Sequence, residues 1–179
     1  LSVITDGDQH TPDVAMNASG DFVVALVDGF DGTIKAYAYD SAGNMQGGGV
    51  QVSASGTPTN PAVALDDSGD FVVAWESQTA DGDQGGIRAR HFHADYTPYQ
   101  SAQTINAYTP GNQTAPGIAL HDGRLVTVWS GQGTPDSLGV YLRIAALANG
   151  SNAAPVITSN GGGATATTSV GENTTLVTT

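Results

Sequence analysis

The cluster with the clearest metal-binding chemistry is His91-Phe92-His93-Ala94-Asp95. Alternate side chains of a β-strand point to the same face, so both imidazoles and the carboxylate would share one face. Two histidines and an aspartate are zinc ligands. A polar strand end near the surface would carry the same residue types without a metal. The aligned positions in the two other copies of the repeat described below are Ala38 and Asp40, or Ile144 and Ala146, so the histidine pair belongs to one copy.

Two aspartate-glycine loops make calcium the better metal candidate. Calcium prefers hard oxygen ligands on short loops. Asp28 and Asp31 occupy one loop, and Asp81 and Asp83 occupy the equivalent loop one repeat later. Asp-Gly is also ordinary turn chemistry, and no complete EF-hand-type loop is present. Calcium is therefore the one cofactor that the sequence indicates, with these four aspartates as candidate ligands.

The sequence carries no motif of a known catalytic machinery. It has no Gly-x-Ser-x-Gly elbow, no His-Glu-x-x-His, no P-loop, and no carboxylate pair that stands out from the turn aspartates. A sialidase-type propeller site would need several arginines at one end of the fold. Three of the four arginines fall instead within predicted strands (Arg88, Arg90 and Arg143). We therefore expect that the chain is not an enzyme.

The charge balance excludes whole classes of partner. There are 5 Lys and Arg against 17 Asp and Glu, which gives a formal net charge of -12. Such a surface repels nucleic acid and anionic lipid, and no apolar run approaches the length of about 18 residues that a membrane span needs. We expect neither nucleic-acid binding nor membrane insertion. The 24 glycines and the few charged residues favour short strands and tight turns over helices.

A repeat organises these elements. The segments 12–26 and 61–75 are identical at most positions without a gap, and a third, more divergent copy covers 116–129. The period of about fifty residues is that of a four-stranded propeller blade. Each copy is predicted to contain an apolar strand A, a tight turn, an apolar strand B, an alternating strand C and a short strand D. The predicted A strands are 14–16, 63–65 and 118–120; the B strands 22–27, 71–76 and 125–130; the C strands 33–40, 87–93 and 140–146; and the D strands 50–53 and 104–107.

The predicted fold is all-β, with three four-stranded antiparallel blades of β-propeller type followed by a short β-strand tail. Residues 1–148 form the repeat region, with blades at about 12–54, 61–107 and 116–147. The segment 1–5 lies where a D strand would precede the first copy, so it is predicted to be a latch strand. Residues 149–179, poor in charge and rich in Gly and Thr, are predicted to be a linker and the first strands of a further module.

The repeat also predicts the core. Phe22, Phe71 and Leu125 should occupy equivalent buried sites, and so should Leu26, Trp75 and Trp129. The alternative for the two tryptophans is a sugar-stacking platform on the surface. A large residue at a repeat-fixed position normally belongs to the core, which is the interpretation we favour.

Two resemblances follow from these motifs. The Pro-x-Val-Ala-(Met/Leu)-x-x-Ser-Gly-Asp-Phe-Val-Val-Ala-(Leu/Trp) units resemble the blades of giant, calcium-rich proteins exported by bacterial type I secretion. The segments 154–159 and 170–174 resemble the start of a bacterial cadherin-like domain. The Asp-Ser-Gly-Asp-Phe hairpin is similar to the Asp-box of sialidase propellers, where it is structural.

The resemblance implies an extracellular or cell-surface bacterial protein, of which this chain is a non-catalytic structural or adhesive module. Two alternatives stay open: a carbohydrate-binding, lectin-like propeller, and an accessory domain of a secreted hydrolase. The expected partners are neighbouring domains of the same parent protein, glycans, or a second copy of the chain. Because the third copy shows no D strand, residues 1–5 of one copy could complete the third blade of another in a strand-swapped dimer.

Overall fold

In the computed structural model, the described residues are 7–54, 57–78, 81–132 and 138–147, together with the short strands of the tail at 158–159, 166–168 and 177–178. The chain divides into two compact units, Leu1–Ala146 and Leu147–Thr179. Every regular element of the described residues is a β-strand, and none of these residues forms a helix long and apolar enough to cross a membrane.

The first unit contains three antiparallel sheets in chain order. Blade 1 comprises β1 (Gln9–Met16), β2 (Phe22–Asp28), β3 (Thr33–Tyr39) and β4 (Val50–Gln51). Blade 2 comprises β5 (Pro58–Leu65), β6 (Phe71–Ser77), β7 (Gly86–Phe92) and β8 (Gln103–Thr104). Blade 3 comprises β9 (Gln113–His121), β10 (Arg124–Gly131) and β11 (Gly139–Ala146). In each blade every strand pairs with the next one along the chain, as in a propeller.

The second unit contains a small sheet in which β12 (Thr158–Ser159), β13 (Ala166–Thr168) and β14 (Val177–Thr178) pair in that order. The resemblance of this tail to a cadherin-like module stays a prediction. The predicted latch strand at 1–5 lies outside the described residues.

The strands match the sequence pattern with two differences. The A strands begin earlier than predicted, because β1, β5 and β9 continue past a bulge towards their N-termini. The D strands are shorter, with only two residues each in β4 and β8. Beyond these, Val52 and Ile105 each donate one backbone hydrogen bond to strand C, to Ile34 and Ile87. A side-chain oxygen then takes over the pairing: Ser53 Oγ and Asn106 Oδ1 accept the backbone N–H of the same two strand C residues, both at 2.8 Å.

The hairpin between strands A and B is held by its own side chains. Asn17 Oδ1 accepts the N–H groups of Ser19 and Asp21 at 3.0 Å, and Asp66 Oδ1 does the same for Ser68 and Asp70. The glycine between them adopts a positive φ of 85° at Gly20, a conformation that side chains disfavour. Asp21 and Asp70 then each accept a backbone N–H from the turn after strand C, at 3.0 Å. The motif therefore fixes the blade's shape.

Each blade has two faces. The back face of blade 1 (Val23, Ala25, Val27, Ile34 and Ala36) and the front face of blade 2 (Val63, Phe71, Val73, Trp75 and Phe92) form one buried cluster. Blades 2 and 3 repeat this arrangement with β5 and β6 against β9. Leu26, Trp75 and Trp129 are 6%, 2% and 7% exposed, so their predicted burial is confirmed. Phe71 and Leu125 are also buried, whereas Phe22 is half-buried on the open front face of blade 1.

Candidate functional site

The inner strands β1, β5 and β9 run side by side and meet in a cleft at the centre of the three blades. Each carries a proline at the same repeat position: Pro12, Pro61 and Pro116. The residue before each proline has a positive φ, with values of 47°, 48° and 52° at Thr11, Asn60 and Ala115. Such values are uncommon for residues other than glycine, and they coincide with irregularities in strand pairing. Because the same positive φ recurs in all three blades, this backbone strain is a regular feature of the cleft.

The cleft has a volume of about 450 Å³ and opens to solvent. This volume falls in the range of small-molecule sites. Three polar side chains converge on it, from Thr11, Asp13 and Asn60, among small and apolar neighbours. The complete lining is Thr11, Pro12, Asp13, Asn60, Pro61, Ala62, Pro116, Gly117 and Ile118.

Asp13 is the carboxylate in this lining. It is half-buried, and its Oδ2 accepts the backbone N–H of Val63 at 2.8 Å, which joins blade 1 to blade 2. The equivalent positions in the other blades are Ala62 and Gly117, so the carboxylate is not required by the blade itself. Among the described residues no hydrogen bond to Oδ1 of this side chain is seen, and a carboxylate can accept several hydrogen bonds at once.

Glu76, near the end of β6, does not line the cleft but holds Asn60 of its lining in place. Its Oε1 accepts the side-chain amide of Asn60 at 2.8 Å and the backbone N–H of Ala115 at 2.6 Å. Its Oε2 accepts the hydroxyl of Thr59 at 3.3 Å. The repeat places Val27 and Ser130 at this position, so Glu76 is also specific to blade 2. It fixes the orientation of Asn60 and joins β5 to β9.

A second groove lies between blades 2 and 3. Its volume is about 470 Å³, and aromatic, amide and guanidinium groups line it. Trp129 contributes one wall but is almost fully buried, with its ring centroid 6.3 Å from that of Tyr141. The lining is Ile105, Ala107, Tyr108, Trp129, Gln132, Tyr141, Leu142 and Arg143. The buried tryptophan supports its interpretation as core and weakens the stacking alternative.

The predicted calcium ligands of blade 1 surround a lysine. Lys35 Nζ lies 2.5 Å from Asp28 Oδ2 and 2.8 Å from Asp31 Oδ2. The remaining oxygens accept backbone N–H groups, from Phe30 to Asp28 and from Thr33 to Asp31. The hydrogen bond from Lys35 holds the pKa of Asp28 below its usual value, with a further contribution from the Phe30 N–H. The ammonium group thus occupies the position that a cation would take between these carboxylates.

The aspartates of the equivalent loop in blade 2 make other contacts. Asp81 Oδ2 accepts the side-chain amide of Asn106 at 2.6 Å, and Asp83 Oδ2 accepts the N–H of Gly111 at 3.0 Å. Within the described part of the chain, no three His, Asp or Glu side chains are grouped as metal ligands. Calcium binding by these four aspartates stays a prediction.

The histidine cluster of blade 2 forms an aromatic stack. The rings of His91 and His93 both stack on Tyr99, with centroids 3.8 and 3.4 Å away. Tyr99 donates its hydroxyl to Asp70 at 2.6 Å, and burial lowers the pKa of His91. Asp95 does not join them, because it accepts the N–H and hydroxyl of Thr97 in the following turn. The zinc triad predicted by strand alternation is therefore not assembled.

No protein-family model and no curated protein matches the sequence. Among solved structures, an endo-arabinase from Bacteroides thetaiotaomicron VPI-5482 matches with a TM-score of 0.52 and 19% identity, over 82% of this chain and 61% of that one. A thermostable family-43 glycoside hydrolase matches with a TM-score of 0.45 and 11% identity, over 79% of this chain and 55% of that one. The chain thus spans less than two thirds of either protein. The comparison establishes an all-β fold of propeller type.

The comparison also corrects one prediction. The sequence, which lacks a recognisable catalytic motif, predicts that the chain is not an enzyme. That prediction is wrong, because an endo-arabinase, an enzyme by its description, has the fold of these three blades. Sequence motifs could not decide this, because residues that are distant in sequence come together only when the blades pack. Glu76 of β6, for example, contacts β5 and β9, and Asp13 of β1 contacts β5, so no local motif marks either carboxylate.

Proposed function

We propose that this chain is a carbohydrate-binding propeller domain of a secreted, glycoside-hydrolase-type protein, and that its central cleft receives a saccharide. The proposal rests on Asp13. A carboxylate occurs at this repeat position in one blade only, and it lines the cleft together with Asn60 and Thr11. The proposal therefore adopts the alternative of a secreted-hydrolase domain in place of an adhesive module. Export from the cell is part of the proposal.

The polar groups of the cleft suit sugar hydroxyls. A carboxylate accepts hydroxyl hydrogen bonds, a side-chain amide both donates and accepts, and a threonine hydroxyl does the same. Proline, alanine and isoleucine side chains around them supply apolar contact for the carbon-bound faces of a sugar ring. Because Glu76 fixes Asn60 through a 2.8 Å hydrogen bond, the amide is oriented before a ligand arrives.

The charge of the chain selects among polysaccharides. With a formal net charge of -12, the protein repels uronic-acid polymers and sulfated glycans. A neutral polysaccharide is therefore the expected ligand class. Arabinan is the first candidate to test, because the solved structure that matches these blades is described as an endo-arabinase.

Hydrolysis of that saccharide is the second candidate function. Most glycoside hydrolases use a pair of Asp or Glu side chains, one as an acid and the other as a base or nucleophile. Among the described residues, Asp13 and Glu76 are carboxylates that hydrogen-bond to the inner strands and that have no carboxylate counterpart in the other blades. Asp13 lines the cleft and is the carboxylate to test for catalysis, whereas Glu76 lies outside the lining and positions Asn60.

Affinity electrophoresis in gels containing arabinan, xylan or polygalacturonate tests the binding proposal. We expect retardation by a neutral polysaccharide and none by polygalacturonate. Asp13→Asn keeps an oxygen to accept the Val63 N–H but removes the charge, and it should abolish retardation. Asp122→Asn is the matched control, because Asp122 is exposed in the turn between β9 and β10. Equal retardation of both variants, or none of the unmodified chain, would contradict the proposal.

Release of reducing ends tests the second candidate. The unmodified chain should release them from arabinan, and Asp13→Asn, at the carboxylate that lines the cleft, should lower the rate by at least about a hundredfold, as expected for loss of a general acid or base. Retardation without release of reducing ends would leave a binding domain and remove the catalytic candidate.

A further inference from the structure

The back face of blade 3 exposes a row of apolar side chains. Val140, Leu142 and Ile144 alternate along β11 and are 78%, 63% and 53% exposed. Val128 of the neighbouring β10 pairs with Leu142 and extends the patch. Contiguous apolar surface of this kind on a sheet marks an interaction site or an aggregation hazard.

The counterparts of these residues in blades 1 and 2 show that this face packs against another blade. The counterparts of Val140 in blades 1 and 2 are Ile34 and Ile87, and both are fully buried against the next blade. The counterparts of Leu142 are Ala36 and Ala89, which are buried as well. The position therefore belongs to an inter-blade junction, and in blade 3 the junction has no partner within the described residues.

The front face of blade 1 is the opposite half of such a junction. Val14 and Met16 are 59% and 64% exposed. Their counterparts in blade 2 are Val63, which is buried in the cluster shared with blade 1, and Leu65, which packs against that cluster. The chain thus carries one unpaired back face and one unpaired front face among its described residues, and faces of these two kinds pair at both junctions within it.

The sizes of the side chains are complementary. At the existing junction a large Trp75 on the front face shares a cluster with Ala25 and Ala36 on the back face. The front face of blade 1 has the smaller Leu26 in place of that tryptophan, and Leu26 is already buried within its own chain. The unpaired back face has Val128 and Leu142 in place of the two alanines. These larger side chains fill more of the space at a junction. Compensation of this kind preserves packing density at a buried interface.

We propose that a second copy of this chain covers the exposed face, with the back face of blade 3 docking on the front face of blade 1 of its partner. Two copies related by a two-fold axis satisfy both unpaired junctions at once. The result is a closed ring of two times three blades, within the range of about four to eight that propellers use. The interface repeats the two junctions already present in each chain.

Light scattering coupled to size exclusion tests this with the full chain. We expect twice the mass of 18.1 kDa. Leu142→Lys on the back face and Val14→Glu on the front face should each weaken the dimer at least about tenfold, as expected for charge at an interface core. Both side chains are largely exposed in the single chain, so the circular dichroism spectra of the variants should match that of the unmodified protein.

Mixing the two variants gives the sharper result. A mixed dimer has one unmodified junction and one in which the introduced lysine would face the introduced glutamate as an ion pair, so the mixture should regain the dimeric mass. A monomeric unmodified chain would overturn the proposal and leave both faces to other parts of a longer protein. A dimer broken by Leu142→Lys but not by Val14→Glu would also overturn it, because that pattern indicates back-to-back pairing.

Discussion

The guanidinium group of Arg90 donates to the carbonyl oxygen of Val52 at 3.2 Å, across the junction between blades 1 and 2. At the next junction Arg143, which occupies the same repeat position, donates to the carbonyl of Ile105 at 3.1 Å. Both acceptors follow a very short D strand. An arginine from each new blade therefore satisfies the backbone at the outer edge of the blade before it.

Loss of this contact should destabilise the blades. Arg90 also donates to the carbonyl of Gln51 at 3.3 Å, and its guanidinium lies 5.2 Å from the ring centroid of Phe92. We expect Arg90→Met to lower the free energy of unfolding by about 1–3 kcal/mol, since charged donors contribute in that range. Urea denaturation measures this. Arg124→Met, on an exposed side chain, is the control and should stay within about 0.5 kcal/mol of the unmodified chain. Equal stability of the two variants would show that the junction does not depend on the arginine.

Lys35 should stabilise blade 1 only while its two carboxylates are charged. We expect Lys35→Met to cost about 1–3 kcal/mol at neutral pH, because the buried carboxylate of Asp28 is left without its cation. The hydrogen bond from Lys35 depresses the pKa of Asp28 below 3.8. Its stabilisation is therefore present above about pH 4 and is lost as pH falls through the folded-state pKa. Urea melts at about pH 7 and about pH 2.5 should show the difference between the proteins shrinking in acid; a difference independent of pH would contradict this.

The same substitution tests calcium. With Lys35 in place, calcium must displace an ammonium group from between Asp28 and Asp31. We expect millimolar calcium to raise the melting temperature of Lys35→Met by several degrees more than that of the unmodified chain. Asp31→Asn added to Lys35→Met is the control and should cancel the gain. A larger shift in the unmodified chain would instead direct attention to Asp81 and Asp83.

His91 should make the fold sensitive to mild acid. Burial lowers the pKa of His91 below 6.5, and nearby Asp70 opposes this shift more weakly. Between the folded and unfolded pKa values the unfolded chain binds a proton that the folded chain does not, so stability falls as pH drops below about 6.5. The slope should disappear in His91→Gln and persist in His121→Gln, whose side chain is exposed. Chemical denaturation from about pH 7.5 to about pH 5 measures both slopes, and an unchanged slope in His91→Gln would refute the assignment.

The fold could be predicted from the sequence because the copies of the repeat can be compared position by position. Leu26, Trp75 and Trp129 recur in register and all three are buried, as the alignment predicts, whereas Phe22 stays half-buried although its counterpart Phe71 is buried. The D strands are shorter than their apolar pattern indicates, because Ser53 replaces ladder pairing by a side-chain hydrogen bond. That substitution is a property of tertiary contacts, which alternation in the sequence does not report.

The cleft was harder to predict because its residues are distant in sequence. Asp13 lies in an unremarkable Thr-Pro-Asp stretch, and Glu76 ends an apolar strand. One signal was available: both are carboxylates where the aligned copies carry uncharged residues, namely Ala62 and Gly117 for Asp13, and Val27 and Ser130 for Glu76. The histidine pair showed the same signal but failed to form a triad, because Asp95 accepts hydrogen bonds from Thr97 in the following turn instead of joining the histidines. A residue that differs in chemistry from its counterparts in the other copies is thus a candidate site residue. Tertiary packing then determines whether it joins a site.

The most direct test of the saccharide-binding cleft is an NMR titration of the ¹⁵N-labelled chain with a neutral arabino-oligosaccharide. We predict that the largest shifts fall on the backbone amides of Thr11, Asp13, Asn60 and Gly117, and that Asp13→Asn removes them. The amide of Asp122 should not move. Shifts centred on Tyr108 and Tyr141 in the groove between blades 2 and 3, or no shifts at millimolar ligand, would contradict the account.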